Sequence, residues 1–122
     1  MQNEKEEFKK NFIRRLINFS LEIINYSEIL KKDRKFWVII DQLIRSATSV
    51  GANVVEAKSS SSRRDYIKFF EIALKSANET KYWLILVKEL SIDRDKVEIL
   101  LKEIDEISKI IGSSILTLKG KK

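Results

Sequence analysis

Four basic side chains gather around one serine-rich segment in the middle of the sequence. The serines at 59–62 are followed at once by Arg63 and Arg64, and the group is flanked by Lys58 and Lys68. Guanidinium groups fork onto phosphate oxygens, serine hydroxyls donate to them, and a helix N-terminus favours an anion. These residues therefore predict a contact with the phosphate groups of a polyanion.

The same serines also have a structural interpretation. Ser62 is followed three residues later by Asp65, a spacing that resembles a capping box with aspartate in place of the usual glutamate. The segment is then a loop whose last serine caps the next helix. The two interpretations are compatible, and the sequence leaves both open.

Positive charge is concentrated in two parts of the chain. The 122 residues carry 24 basic and 18 acidic side chains, a formal net charge of +6. Residues 1–35 hold nine basic and six acidic side chains, and residues 58–68 hold four basic and one acidic. In the first part, Arg14 and Arg15 follow two lysines. Because basic surfaces attract polyanions such as RNA or DNA, we add both arginines to the predicted nucleic-acid-binding residues.

A second set of polar residues recurs at helical spacing, at alternating intervals of four and three. The set consists of Gln42, Ser46, Ser49, Asn53 and Glu56, with Arg45 beside it. One interpretation is a solvent-facing side of a helix. The other is a polar network between helices, in which short side chains allow a close approach and Arg45 or Gln42 pairs with an acid such as Glu79.

The composition argues against catalysis. The chain has no cysteine and no histidine, so disulfides, thiolate metal sites and the commonest general base are excluded. Glu56 and Glu79 are the only regularly placed acids that we expect to be buried, and no nucleophile or set of metal ligands accompanies them. We therefore predict a protein that is not an enzyme, with no catalytic residue, cofactor or metal.

Apolar residues define the elements that position these groups. They recur at alternating spacings of four and three, starting with Phe12, Leu16 and Phe19, which is the pattern of an amphipathic helix. Ser62 and Asp93 are candidate caps of the third and fourth helices. The chain lacks proline and has three glycines. We predict an all-α, up-down-up-down antiparallel four-helix bundle as a single domain over 1–122, with helices at about 4–31, 36–58, 63–90 and 94–118.

The third predicted helix is apolar around most of its circumference. One bundle core cannot cover all of these side chains, so a second burial surface is required. The sequence therefore predicts a homo-oligomer with Trp83 and its neighbours near a subunit interface.

We expect no membrane span and a cytoplasmic location. The longest apolar run, 82–87, has six residues, well below the roughly 18 that a spanning helix needs. The N-terminus is too acidic for a signal peptide.

Residues 36–90 resemble a known bacterial family. The segments 42–57, 64–69 and 72–79 are similar to the four-helix bundle proteins encoded by intervening sequences inside 23S ribosomal RNA genes. The family signature combines Gln-x-x-Arg and Ser-x-x-x-Asn-x-x-Glu on the second helix with Ser-x-x-Glu on the third. The matching residues are Gln42, Arg45, Ser49, Asn53, Glu56, Ser76 and Glu79.

The resemblance implies properties beyond the fold. The family includes the accessory proteins of diversity-generating retroelements, which form basic, barrel-like homopentamers and bind nucleic acid together with a reverse transcriptase. The resemblance thus implies that the signature residues form a structural polar network and that the chain assembles into a homopentamer.

Two functional hypotheses follow. The first is a non-catalytic basic oligomer that binds the phosphate backbone of RNA or DNA without strong sequence specificity, since no base-reading motif is visible. The alternative is a protein-interaction adaptor that docks a partner such as a reverse transcriptase or a ribosomal component.

Overall fold

The computed structural model describes residues 2–121, which form four long helices without a strand. Consecutive helices pack side by side, and α1 also contacts α4, which closes the bundle. The predicted all-α, up-down-up-down four-helix bundle is confirmed. The helices are α1 (Gln2–Leu30), α2 (Trp37–Lys58), α3 (Arg63–Leu90) and α4 (Asp95–Leu118).

Short polar side chains mark where the helices start. A 3-10 turn, Arg34–Phe36, precedes α2, and the Asp33 side chain accepts a hydrogen bond from the backbone N–H of Lys35 at its start. The Asp93 carboxylate accepts from the backbone N–H of Asp95 at 3.1 Å, at the start of α4. Each side chain satisfies one of the backbone donors that a helix start leaves free.

The predicted apolar stripe of α1 lies in the core along its whole length. Its buried side chains are Phe12, Leu16, Phe19, Ile23, Tyr26 and Leu30. The buried apolar face of α4 includes Leu100 and Ile107 as well as Val97 and Ile104, while Leu101 is only half-buried. A helix that faces the core buries more than one residue per turn, so neighbouring positions share its buried face.

The helices do not pack equally closely. The interface between α2 and α3 is the most intimate and that between α1 and α4 the loosest. Small residues explain the close interface, since Ala47, Ala57, Ala73 and Ala77 are all fully buried. No helix within residues 2–121 is long and apolar enough to cross a membrane.

Candidate nucleic-acid interface

The turn between α2 and α3 presents the predicted phosphate-contacting cations. The helix α2 ends at Lys58, and the backbone N–H of Ser60 bonds to the carbonyl of Ala57 at 3.1 Å. Ser62 has extended backbone angles, and its hydroxyl accepts from the N–H of Asp65 at 3.1 Å. The structural interpretation of the last serine as the cap of α3 is therefore confirmed.

Three cations at this turn are exposed: Lys58, Arg64 and Lys68. Among residues 2–121 the structure gives none of them an ion pair or a side-chain hydrogen bond. Because Arg64 and Lys68 are four residues apart on α3, their side chains lie on the same side of that helix. These three charges are free to meet an anion from outside the chain.

Arg63 differs from its neighbours. Its Nε and Nη2 donate to the carbonyl oxygen of Leu118, at 2.9 and 2.5 Å. Leu118 is the last residue of α4, where the helix dipole places partial negative charge on free carbonyls. Arg63 therefore caps α4 in addition to contributing positive charge, a role that the sequence pattern does not reveal.

The two arginines predicted on α1 have different surroundings. Arg14 is exposed. Arg15 is tied to α4, since its Nε and Nη2 each lie 2.7 Å from an oxygen of Glu103 and Nη2 lies 2.9 Å from Glu106. The hydrogen bonds that the Arg15 guanidinium donates to Glu103 hold its pKa above the usual value. Its charge is thus already balanced by two carboxylates.

An open cleft lies beside the basic turn, at the end of the bundle where α1 and α3 begin and α2 and α4 end. Its volume is about 890 Å³. We call it the end cleft and define it by Lys5, Phe8, Lys9, Lys58, Arg63 and Tyr66. Arg63 also lines a shallow depression with Arg64 and Lys68, so the end cleft and the basic turn form one continuous surface.

The cleft adds Lys5, which the sequence analysis did not single out, to the lysines already noted before Arg14 and Arg15. Lys5 lines it, and the Nζ of Lys9 lies 6.0 Å from the centroid of the Tyr66 ring. The helical spacing of the lysines at 5 and 9 with Phe8 and Phe12 was a signal of this surface. This spacing alone does not predict the cleft, because only the folded bundle brings the starts of α1 and α3 to the same cavity.

The polar stripe of α2 meets α3 through direct hydrogen bonds. The hydroxyls of Ser49 and Ser76 lie 2.9 Å apart, and Asn53 Nδ2 donates to Ser49 Oγ at 3.0 Å. Thr80 Oγ1 lies 3.0 Å from Ser46 Oγ, with both residues fully buried. These hydrogen bonds link α2 to α3 at the small residues of the stripe.

One end of this stripe carries charge. Arg45 pairs with Glu79 across the α2–α3 interface, and its guanidinium also donates to Gln42 Oε1 at 2.8 Å. Trp83 Nε1 donates to the same carboxylate at 3.0 Å. The hydrogen bond that Trp83 donates is the largest cause that lowers the pKa of Glu79, and the hydrogen bond from Arg45 lowers it further.

Glu56 stands apart from the network. We expected its carboxylate to be buried, but the side chain is exposed, and the structure shows no bond from it to any residue within 2–121. The reason is rotation: at the end of α2 the buried positions are Val54 and Ala57, so Glu56 falls on the outer side of the helix. Within the same described residues, no three acidic side chains cluster closely enough to hold a metal ion.

Comparison with known proteins places this fold and residue pattern in a family. The family model of the 23S rRNA-intervening sequence protein matches residues 9–113. A solved structure of a protein of unknown function from the S23 ribosomal protein family of Bacteroides thetaiotaomicron is 38% identical, with a TM-score of 0.80 over 85% of this chain and 97% of that chain. No curated protein matches the chain. Because the family model covers most of the sequence and the solved relative shares its fold, the chain belongs to the 23S rRNA-intervening sequence protein family.

Proposed function

We propose that this protein is a non-catalytic oligomer that binds the phosphate backbone of RNA or DNA through the basic turn and the rim of the end cleft. The supporting observation is the convergence of unpaired cations from three helices on one end of the bundle. Lys9 comes from α1, Lys58 from α2, and Arg64 and Lys68 from α3. Of the carboxylates near these cations, Glu71 is paired with Lys119 at 2.8 Å, whereas Glu4, Glu56 and Asp65 are exposed.

Backbone recognition fits these groups better than base reading. Lysine and arginine on an exposed surface neutralise phosphates and release counterions, which binds any sequence. Arg14 extends the positive charge along α1, whereas Arg15 is held by Glu103 and Glu106 and contributes little to an external contact. We therefore keep Arg14 in the proposed surface and assign Arg15 to the α1–α4 interface.

Assembly into a ring would multiply these weak contacts. Exposed apolar side chains lie on the outer face of α1, at Ile17, Leu21 and Ile24, and on that of α3, at Tyr82 and Ile85. Because α2 and α4 lie between α1 and α3, these two faces lie on different sides of the bundle. A head-to-tail contact between two different faces closes into a ring when the rotation from one subunit to the next closes, and we propose the homopentamer on this basis together with family membership.

Trp83 has a more limited part than the sequence suggested. Its indole is half-buried and bonded to Glu79, so in the proposed ring Tyr82 and Ile85 supply most of the α3 contact. Sedimentation of the purified protein at micromolar concentration tests this assembly. A mass of five subunits is expected, with Leu21→Arg reducing it. A monomer at that concentration contradicts the oligomer.

An adaptor role is the second candidate, and it has its own observation. Ile92, in the turn between α3 and α4, is fully exposed at 101% of its reference area, and Leu90 beside it is 43% exposed. This turn lies at the opposite end of the bundle from the basic turn. An apolar turn of this kind suits a protein partner such as a reverse transcriptase or a ribosomal component.

Fluorescence anisotropy with a structured RNA at two salt concentrations separates these functions. Arg64→Ala/Lys68→Ala removes two unpaired cations from the proposed surface. Lys31→Ala/Lys32→Ala removes the same charge from the turn between α1 and α2, at the other end of the bundle. We expect the first variant to weaken binding. The slope of log affinity against log salt concentration should also fall by the equivalent of about two phosphate contacts per engaged subunit. The control variant should bind as the wild type does.

Two results would overturn the proposed function. Affinity that does not change between low and physiological salt contradicts a phosphate-led contact. Absence of binding to any RNA or DNA at low salt leaves the adaptor as the better explanation.

A further inference from the structure

The end cleft has the size of a ligand site. Its volume of about 890 Å³ falls within the roughly 300–1,000 Å³ of small-molecule sites in proteins. It opens to solvent at the end of the bundle, next to the cations that the proposed function assigns to phosphate. A contact with phosphate alone does not need a cavity, so we expect the cleft to bind a different part of the ligand.

Aromatic rings form the walls of this cleft in two stacked pairs. Phe8 stacks on Phe12 with ring centroids 6.4 Å apart, and Tyr66 stacks on Phe70 at 5.0 Å. The outer member of the first pair, Phe8, is 58% exposed, although the inner ring beneath it is buried. An exposed ring face that continues a stack can accept one more flat ring.

Cations border these rings. Lys5 and Lys58 line the rim, the ammonium of Lys9 lies near the Tyr66 ring, and a single carboxylate, Glu4, lies among them. Burial raises the pKa of the Tyr66 phenol, and a neutral phenol can donate a hydrogen bond. The cleft thus combines flat apolar surfaces with positively charged side chains that lie beside them.

We infer that the end cleft holds one base of a single-stranded nucleic acid, which leaves the stack of its own strand and stacks on Phe8 instead. The adjoining phosphates lie on Lys9 and Lys58. This inference rests on the proposed function and specifies its ligand as single-stranded. In a duplex the bases are paired and stacked on one another, so they are not available to the cleft. A single strand offers a base and its phosphate together.

The probe is a single-stranded RNA oligonucleotide with one 2-aminopurine, whose fluorescence reports stacking, compared with a duplex of the same length. The test variant is Phe8→Ala. The control is Trp37→Ala, which removes another exposed aromatic ring, 52% exposed, at the start of α2 and outside the cleft. Circular dichroism establishes that each variant is folded.

We expect Phe8→Ala to lower the affinity for the single strand by about fivefold or more and to reduce the change in 2-aminopurine fluorescence. Its affinity for the duplex, which uses only the cations, remains that of the wild type, and Trp37→Ala changes neither affinity. Equal affinities of wild type and Phe8→Ala for the single strand would overturn the inference and leave the proposed function intact. Failure of both single strand and duplex to bind at low salt would overturn both.

Discussion

The guanidinium of Arg45 on α2 is ion-paired with the carboxylate of Glu79 on α3, 34 positions later in the sequence. The carboxylate also accepts from Trp83, and the guanidinium also donates to Gln42. The pair therefore joins the two most closely packed helices at one end of a line of hydroxyl contacts. It adds a charged contact to the interface between α2 and α3.

This pairing predicts a measurable coupling between the two side chains. In a double-mutant cycle with Arg45→Gln and Glu79→Gln, each single variant loses the ion pair, so the double variant costs less stability than the sum. Because both side chains are partly exposed, we expect a coupling free energy of about 0.5–1 kcal/mol in urea denaturation. Additive effects of the two substitutions would show that the pair contributes nothing.

The same carboxylate predicts a pH dependence of stability. The pKa of Glu79 is lowered in the folded protein, chiefly by the hydrogen bond from Trp83, so ionised Glu79 stabilises the fold above its unfolded pKa. This stability is lost as pH falls through the folded pKa. The difference in unfolding free energy between wild type and Glu79→Gln, measured from neutral pH to about pH 3, should therefore shrink on acidification. A difference that does not vary with pH contradicts this assignment.

The buried hydroxyl of Thr80 predicts a larger effect than its size suggests. Thr80 Oγ1 lies 2.8 Å from the carbonyl of Ser76 and 3.0 Å from Ser46 Oγ. Thr80→Val keeps the shape but leaves the buried Ser46 hydroxyl without this partner. We expect a loss of about 1–2 kcal/mol in chemical denaturation.

The matched control for this substitution is Thr117→Val on α4. Thr117 is exposed, and its hydroxyl likewise bonds to the carbonyl four residues earlier, Ser113, at 3.1 Å. Here the freed backbone group can turn to water, so the change should stay within about 0.5 kcal/mol. If both substitutions lower the unfolding free energy equally, the contact between Thr80 and Ser46 contributes no additional stability.

Two neighbouring arginines at the start of α3 predict different effects on stability. Arg63→Ala removes two hydrogen bonds to the last carbonyl of α4, and we expect thermal unfolding to show a loss of about 0.5–1 kcal/mol. Arg64→Ala removes an unpaired, exposed cation and should leave the melting temperature unchanged. Arg64 is therefore the cleaner position for binding experiments. Equal destabilisation by both substitutions would contradict the cap of α4 by Arg63.

Local patterns in the sequence determined the helices and much of their contact. The alternation of four and three placed the α1 stripe in the core, because side chains at that spacing share one face of a helix whatever surrounds it. The caps at Ser62 and Asp93 follow from interactions within three residues. The link between Arg45 and Glu79 was predictable because two helices joined by a short turn are antiparallel neighbours.

Tertiary structure decided which charges are free and where the cleft forms. Arg15 is balanced by Glu103, 88 positions away, and Arg63 caps α4 at Leu118, 55 positions away. Such contacts depend on how each helix is rotated about its axis and on where distant helices end, and a periodic pattern states neither. Glu56 faces outward for the same reason of rotation. The end cleft exists only because four helix ends meet there, with Phe8 left exposed at its mouth.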